Sequence, residues 1–183
     1  MTERTRSLRA AGETWDEKPN PTGEAGNNGK NQDVIREFLW DLTSISVHLN
    51  DIRQFWAKAL GISGPQWMIL MAVADLDRGK GVPVKDVSTL LHVGQPFVTT
   101  QSKLLEKGGL LRRTSSKDDG RVVLMSLSEK ASRQIRDLSS KQALLTRFLF
   151  SELESGELKD LADTISSLKK RLEKAGRRLA ADI

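Results

Sequence analysis

Val93-Gly94-Gln95-Pro96-Phe97-Val98-Thr99-Thr100-Gln101-Ser102-Lys103-Leu104-Leu105-Glu106-Lys107, followed by Gly108-Gly109-Leu110 and then Arg112-Arg113-Thr114-Ser115-Ser116-Lys117-Asp118-Asp119-Gly120-Arg121, decides the fold. Proline fits a helix only in its first turn, where its missing N–H has no intrahelical partner, so Pro96 marks a helix start and Gly94 serves as a modest N-cap. Gly108-Gly109 supplies a left-handed stop. Between these ends, Val98, Gln101 or Ser102, and Leu105 fall at helical spacing, with Leu104 widening the stripe. That face is expected to dock on a core, leaving Gln95, Thr99, Thr100 and Lys103 pointing outward. Residues 110–115 and 121–127 then read as two short strands, the second rich in Val and Leu, with the Lys-Asp-Asp-Gly stretch between them as a turn. The hairpin tip carries Lys117 and Arg121, backed by Arg112 and Arg113.

Upstream, residues 84–92 form a short amphipathic helix with Val87, Leu90 and Leu91 inward, so the stretch is preceded by a second, partner helix. Charge follows the same geography. Residues 78–128 hold nine Lys/Arg against four Asp/Glu, whereas residues 33–77 hold three against six. Excess positive charge therefore concentrates on the helix pair and hairpin, as counterion release from a phosphate backbone requires. A basic stretch alone is usually a solvated face; the helix and turn context gives it direction.

This string resembles the signature of the MarR family of winged helix-turn-helix repressors. The resemblance rests on Thr99 in the second helix, Leu105-Glu106 and Gly109-Leu110 at its end, Arg112-Arg113 in the strand, Asp119-Gly120-Arg121 at the wing tip, and Leu127-Ser128 entering the next helix. It covers roughly residues 33 to 180 and is most specific over 83–128. Gly120 fills a variable position of the wing motif, and Ala131 stands where the family usually has Gly, a packing change. The implied fold is mainly α with a small β wing: a winged helix-turn-helix with N- and C-terminal dimerisation helices. The resemblance implies DNA contacts by Gln95, Pro96, Thr99, Thr100 and Lys103 from the recognition helix. It implies further contacts by Arg112, Arg113, Ser115, Lys117, Asp119 and Arg121 from the wing. An acid at a wing tip is repelled by phosphate, so Asp119 is expected to act by orienting the Arg121 guanidinium.

Composition narrows the alternatives. A chain of 183 residues without cysteine holds one core-bearing domain with helical extensions, and excludes disulfides, thiolate metal sites and the thiol-oxidation switch of some MarR relatives. Zinc sensing is disfavoured, since His48 and His92 are the only histidines, and no cofactor is expected. No apolar run approaches the roughly 18 residues of a membrane span, and no signal peptide is visible, so a cytoplasmic protein without membrane association is expected. Gly79-Lys80-Gly81 is a turn and not a phosphate loop, because the Walker spacing is absent.

Four segments follow. Residues 1–32, rich in Gly, Pro and Asn, read as a flexible arm. Residues 33–62 hold a dimerisation helix capped by Asn31, with Ile35, Phe38, Leu42, Ile45, Leu49, Ile52, Trp56 and Ala59 in a near-heptad seam. Residues 63–128 are the winged helix-turn-helix, opening at Ser63-Gly64-Pro65-Gln66 as a capping box and continuing through Trp67, Leu70, Met71 and Ala74, with Gly79, Gly81 and Pro83 ending that helix. Residues 129–183 carry two C-terminal dimerisation helices, the last with a second seam through Leu158, Leu161, Ile165, Leu168, Leu172, Ala175 and Leu179. These seams fit either coiled-coil pairing or packing on the chain's own helices; their presence at both ends favours a symmetric homodimer.

MarR proteins commonly bind small aromatic anions between the dimerisation helices and the winged domain. Trp40, His48, Arg53, Phe55, Trp67 and Met71 supply aromatic faces and a cation for such an effector, an aromatic acid or an aryl-CoA thioester. Trp and Met at helical spacing are, however, more often core. The expectation is a ligand-responsive homodimeric repressor releasing a near-palindromic duplex DNA operator. The rival is a winged-helix protein-interaction module. An enzyme is set aside, as no catalytic constellation is visible.

Overall fold

The computed structural model describes residues 25–181, so the greater part of the expected arm, residues 1–24, lies outside the described residues. The chain divides into two compact units at Leu49/Asn50. Helix α1 (Ala25–Ala59) supplies the described part of the first and the opening of the second. It starts eight residues before the expected Asp33, placing Asn31 inside the helix rather than at its cap. Gly and Asn at residues 26–29 are poor helix formers but lack the steric veto of proline. In the first unit Arg36 pairs with Asp33 at 2.7 Å, and Ile35, Phe38, Ile45 and Leu49 of the seam are solvent-exposed.

The second unit is built around α2 (Gly64–Leu76), α3 (Val84–Leu91) and α4 (Gln95–Lys107), a three-stranded antiparallel sheet, and the long helices α5 (Glu129–Phe150) and α6 (Ser155–Ala181). The capping box at α2 is present: Ser63 Oγ accepts from the Gln66 N–H, and Gln66 Oε1 accepts from the Ser63 N–H at 3.0 Å. Its run Met68-Ile69-Leu70-Met71-Ala72-Val73 is apolar all round, so periodicity understates its burial. Ile69, Leu70, Ala72 and Val73 are buried along with Trp67, while Ala74, expected inside, is exposed.

The sheet has order β1-β3-β2, with β1 (Val82–Pro83), β2 (Leu111–Ser115) and β3 (Val123–Leu127). The two-residue β1 is an addition to the expected hairpin: Val82 pairs with Met125 and Pro83 with Leu124. Gly81, at φ +77°, makes that pairing possible, because a Cβ there would lie 3.1 Å from Leu124 Cβ. Asp77 Oδ1 sets up the approach by accepting the N–H groups of Gly79 and Gly81 at 2.8 and 3.0 Å.

The main core joins Leu70, Val73, Val87, Val98, Leu105 and Met125, so both helices of the pair and the sheet share one apolar centre. A second cluster joins Trp56, Ala57 and Trp67, with Leu138 and Leu145 of α5 packed against it. Trp56 is thus a core residue of the second unit, not an open seam position. At α5 the Ser128 Oγ accepts the Ala131 N–H at 3.0 Å and donates to the Gly109 carbonyl at 2.8 Å, tying this helix start to the turn before β2. No residue of α6 is buried, and Leu158, Leu161, Ile165, Leu172 and Leu179 stand exposed on it.

Candidate nucleic-acid interface

The turn between α3 and α4 is held by backbone geometry. His92 adopts the left-handed conformation (φ 53°, ψ 41°) at the end of α3, and the Val93 N–H returns to the Ser88 carbonyl at 3.1 Å. Gly94 then turns extended, and its carbonyl receives the N–H groups of Phe97 and Val98 at 3.1 and 3.3 Å, opening α4 with Pro96 in the first turn. At the other end Leu110 N–H bonds to Leu105 O and Gly109 N–H to Glu106 O, both 2.9 Å, a Schellman stop with Gly109 at φ +71°.

Between these ends the inward face is Val98, Ser102 and Leu105, all at most 1% exposed. Ser102 is accommodated by donating its hydroxyl to the Thr99 carbonyl at 3.1 Å. Leu104, expected to widen the stripe, is 50% exposed, and Leu90 of α3 likewise faces out while Ser88 is buried in its stead. A helix of this length buries a narrow stripe, and one step of 100° separates Leu104 from Leu105. Gln95, Pro96, Thr100 and Lys103 are exposed and Thr99 is half-buried. The Thr100 hydroxyl donates to the Pro96 carbonyl at 3.0 Å, so it offers an outside partner its lone pairs rather than its proton.

The wing tip is organised by two side chains. Ser116 Oγ accepts from the N–H of Asp118 and Asp119 at 3.2 and 3.5 Å. Asp119 Oδ1 accepts the backbone N–H of Arg121 at 2.9 Å. The expected guanidinium contact is replaced by this turn hydrogen bond, because a carboxylate two residues ahead of an N–H closes an Asx turn. Ser116, which the sequence reading passed over, was legible as a short polar side chain preceding a turn. Ser115, Lys117, Asp119 and Arg121 are exposed.

The two wing arginines part company. Arg112 is exposed, 3.9 Å from Glu129, in a polar groove with Ser132, Arg133 and Arg136 of α5. Arg113, on the opposite strand face, keeps only 11% of its side chain exposed and lies 3.9 Å from Glu106 of α4. The second Glu106 oxygen accepts the Arg113 backbone N–H at 3.1 Å. Strand alternation puts Arg113 on the side of buried Leu111, against α4.

Gln95 and Thr99 of α4 and Arg121 of the wing line a single cleft, whose remaining wall includes Lys85 and Asp86 from the first turn of α3. Of the expected effector residues, Trp40 and His48 fall in the first unit and Arg53, Phe55, Trp67 and Met71 in the second. In the first unit Trp40 is exposed beside Ile35 and Leu39 in a shallow groove, and His48 is exposed. In the second unit Phe55 stacks edge-on against Trp56, centroids 5.0 Å apart, and Arg53 is half-buried. Trp67 is buried and Met71 packs beside it.

A model described as the MarR family matches residues 60–122, the span from the end of α1 to the wing. An uncharacterized HTH-type transcriptional regulator of Bacillus subtilis (strain 168), YfiV, is 29% identical over 130 residues, which are 71% of this chain and 78% of that protein. The fold is similar to that of S. aureus MepR in a DNA complex (TM-score 0.63, 16% identity, 73% of this chain and 97% of that one). It is also similar to Streptococcus pneumoniae FabT in complex with DNA (TM-score 0.60, 22% identity, 77% and 99%). Over the helix pair and wing that this match spans, the chain is similar to the MarR family of transcriptional regulators.

Proposed function

We propose that the chain acts as a homodimeric, ligand-responsive repressor that binds a near-palindromic DNA operator in the cytoplasm. The observation that carries the reading is the shared cleft: Gln95 and Thr99 of the recognition helix and Arg121 of the wing open onto one surface. Gln95, Thr99, Thr100 and Lys103 then meet base edges and phosphates in the major groove, and Arg121 enters the adjacent minor groove. Pro96 packs at the groove edge, while Ser115, Lys117 and Arg112 meet the backbone. Arg113 and Asp119 serve by holding the helix end and the wing tip. MepR and FabT, which share the fold, have been solved with DNA.

The exposed apolar seams of α1 and α6 support a twofold dimer, which sets half-sites about one helical turn, roughly 34–36 Å, apart. The effector class we propose is an aromatic acid or its CoA thioester, with release of DNA on binding.

Selection of duplexes from a random pool by the full chain tests the reading. An enriched inverted repeat with half-sites one turn apart is expected, with affinity falling steeply as salt rises. A thermal-shift screen of aromatic acids and CoA thioesters, followed by DNA competition, tests the effector. No enrichment over random duplex would favour a protein-interaction module.

A further inference from the structure

The cleft between the first turn of α3, the start of α4 and the wing side of β3 contains two charged residues that a helix-and-wing account of DNA binding leaves without work: Lys85 and Asp86. Both are exposed, and the first turn that carries them is braced by the Ser88 hydroxyl, which donates to the Lys85 carbonyl at 2.7 Å. They share the cleft with Gln95 and Thr99 on the recognition-helix side and with Arg121 on the wing side.

A major groove and the minor groove next to it are separated by one sugar-phosphate strand. If Gln95 and Thr99 enter one groove and Arg121 the other, the strand between them has to lie along the cleft that they line, and the first helix of a helix-turn-helix is the element that crosses a backbone. We infer that this cleft is a seat for a DNA backbone phosphate in which Lys85 is the binding cation and Asp86 a counter-charge that weakens sequence-independent binding. The inference rests on the DNA-binding reading above and deepens it.

The two residues act with opposite sign on the same ligand. Lys85 neutralises a phosphate and releases a condensed counterion, a contribution blind to base sequence. Asp86 gains from the positive end of α3, which accounts for an acid in a first helical turn. Its place in the cleft adds a repulsion that every duplex meets equally. A penalty common to every duplex lowers affinity throughout and leaves the ratio of specific to random binding to base contacts such as those of Gln95 and Thr99.

Titration of the full chain with its selected duplex and with random duplex, across a salt series, tests the seat. Lys85→Gln is expected to weaken both by a similar factor, on the order of three- to tenfold, and to flatten the plot of log affinity against log salt by about 0.9. Asp86→Asn is expected to tighten both, although it removes a charge favourable to α3. Lys141→Gln, a lysine of α5 outside the cleft, should change neither, and melting curves confirm that each variant folds. Wild-type affinity and slope in a folded Lys85→Gln variant overturn the seat while leaving the DNA-binding reading intact. Unchanged or weaker binding by folded Asp86→Asn overturns the counter-charge. A wild-type chain that binds no duplex removes both this inference and the reading on which it rests.

Discussion

The carboxylate of Asp119 accepts the backbone N–H of Arg121 at 2.9 Å, closing the wing tip into a turn from which the Arg121 side chain projects into the cleft beside Gln95 and Thr99. The acid therefore works on the backbone that carries the arginine. Its negative charge is incidental to that work; its acceptor oxygen is not.

Asp119→Ala and Asp119→Asn are accordingly expected to differ. Alanine removes the acceptor, loosens the tip and lowers duplex affinity several-fold, with a stability change of only about 0.5–1.5 kcal/mol. Asparagine keeps the oxygen, loses the charge, and should bind at least as tightly as wild type. Fluorescence anisotropy at fixed salt reads both, and equal weakening by the two variants would show that the charge itself is needed.

Glu106 and Arg113 fasten the end of the recognition helix to β2. One Glu106 oxygen accepts the Arg113 N–H, and the other faces a guanidinium whose Nε is buried without a partner. Glu106→Ala is expected to cost about 0.5–1.5 kcal/mol in urea unfolding, since it removes the acceptor of the Arg113 N–H and the counter-charge beside a largely buried guanidinium. Glu106→Gln, which keeps an acceptor for the N–H, should recover part of that loss. Equal stability of the alanine variant and wild type would show the pair to be idle.

Leu104 and Leu105 are neighbours with opposite surroundings, the first 50% and the second 1% exposed. Leu105→Ala should destabilise the fold by about 2–5 kcal/mol by opening a core cavity. Leu104→Ala should stay within about 0.5 kcal/mol in the isolated chain. Denaturant titration of both measures the contrast, and similar losses would mean that the helix is rotated about its axis.

Leu172 on α6 is 56% exposed, so a charge there meets little resistance within one chain and a great deal in a pairing seam. Leu172→Glu is expected to shift light-scattering mass from dimer to monomer while the melting transition of the winged region persists. A dimer of unchanged affinity would place the pairing surface elsewhere.

Local chemistry was legible along the chain wherever a few adjacent residues decide an outcome. Ser63 and Gln66 close their box within one turn, Gly94 and Pro96 open α4, Gly108 and Gly109 stop it, and Ser128 caps α5. Each of these needs only hydrogen bonds between groups three to five residues apart, and no distant partner can revise them. The Lys-Asp-Asp-Gly turn between two short runs announced the hairpin, and the resemblance to the MarR family supplied an expected use for its basic residues. Other features waited for the tertiary structure because they depend on segments far apart in the chain. Val82 and Pro83 become a strand only when Met125 and Leu124 lie alongside. Trp56 leaves its seam for the core because Trp67 packs against it, and Leu104 is turned out because the core receives Leu105 and Ser102 first. Arg113 reads as one of a pair of wing cations, yet strand alternation sends it inward to Glu106 and leaves Arg112 outside. Lys85 and Asp86 gained a role only when folding brought the first turn of α3 beside Gln95, Thr99 and Arg121. Short-range hydrogen bonds are written in the order of residues; burial and juxtaposition are settled by which surfaces compete for the same interior.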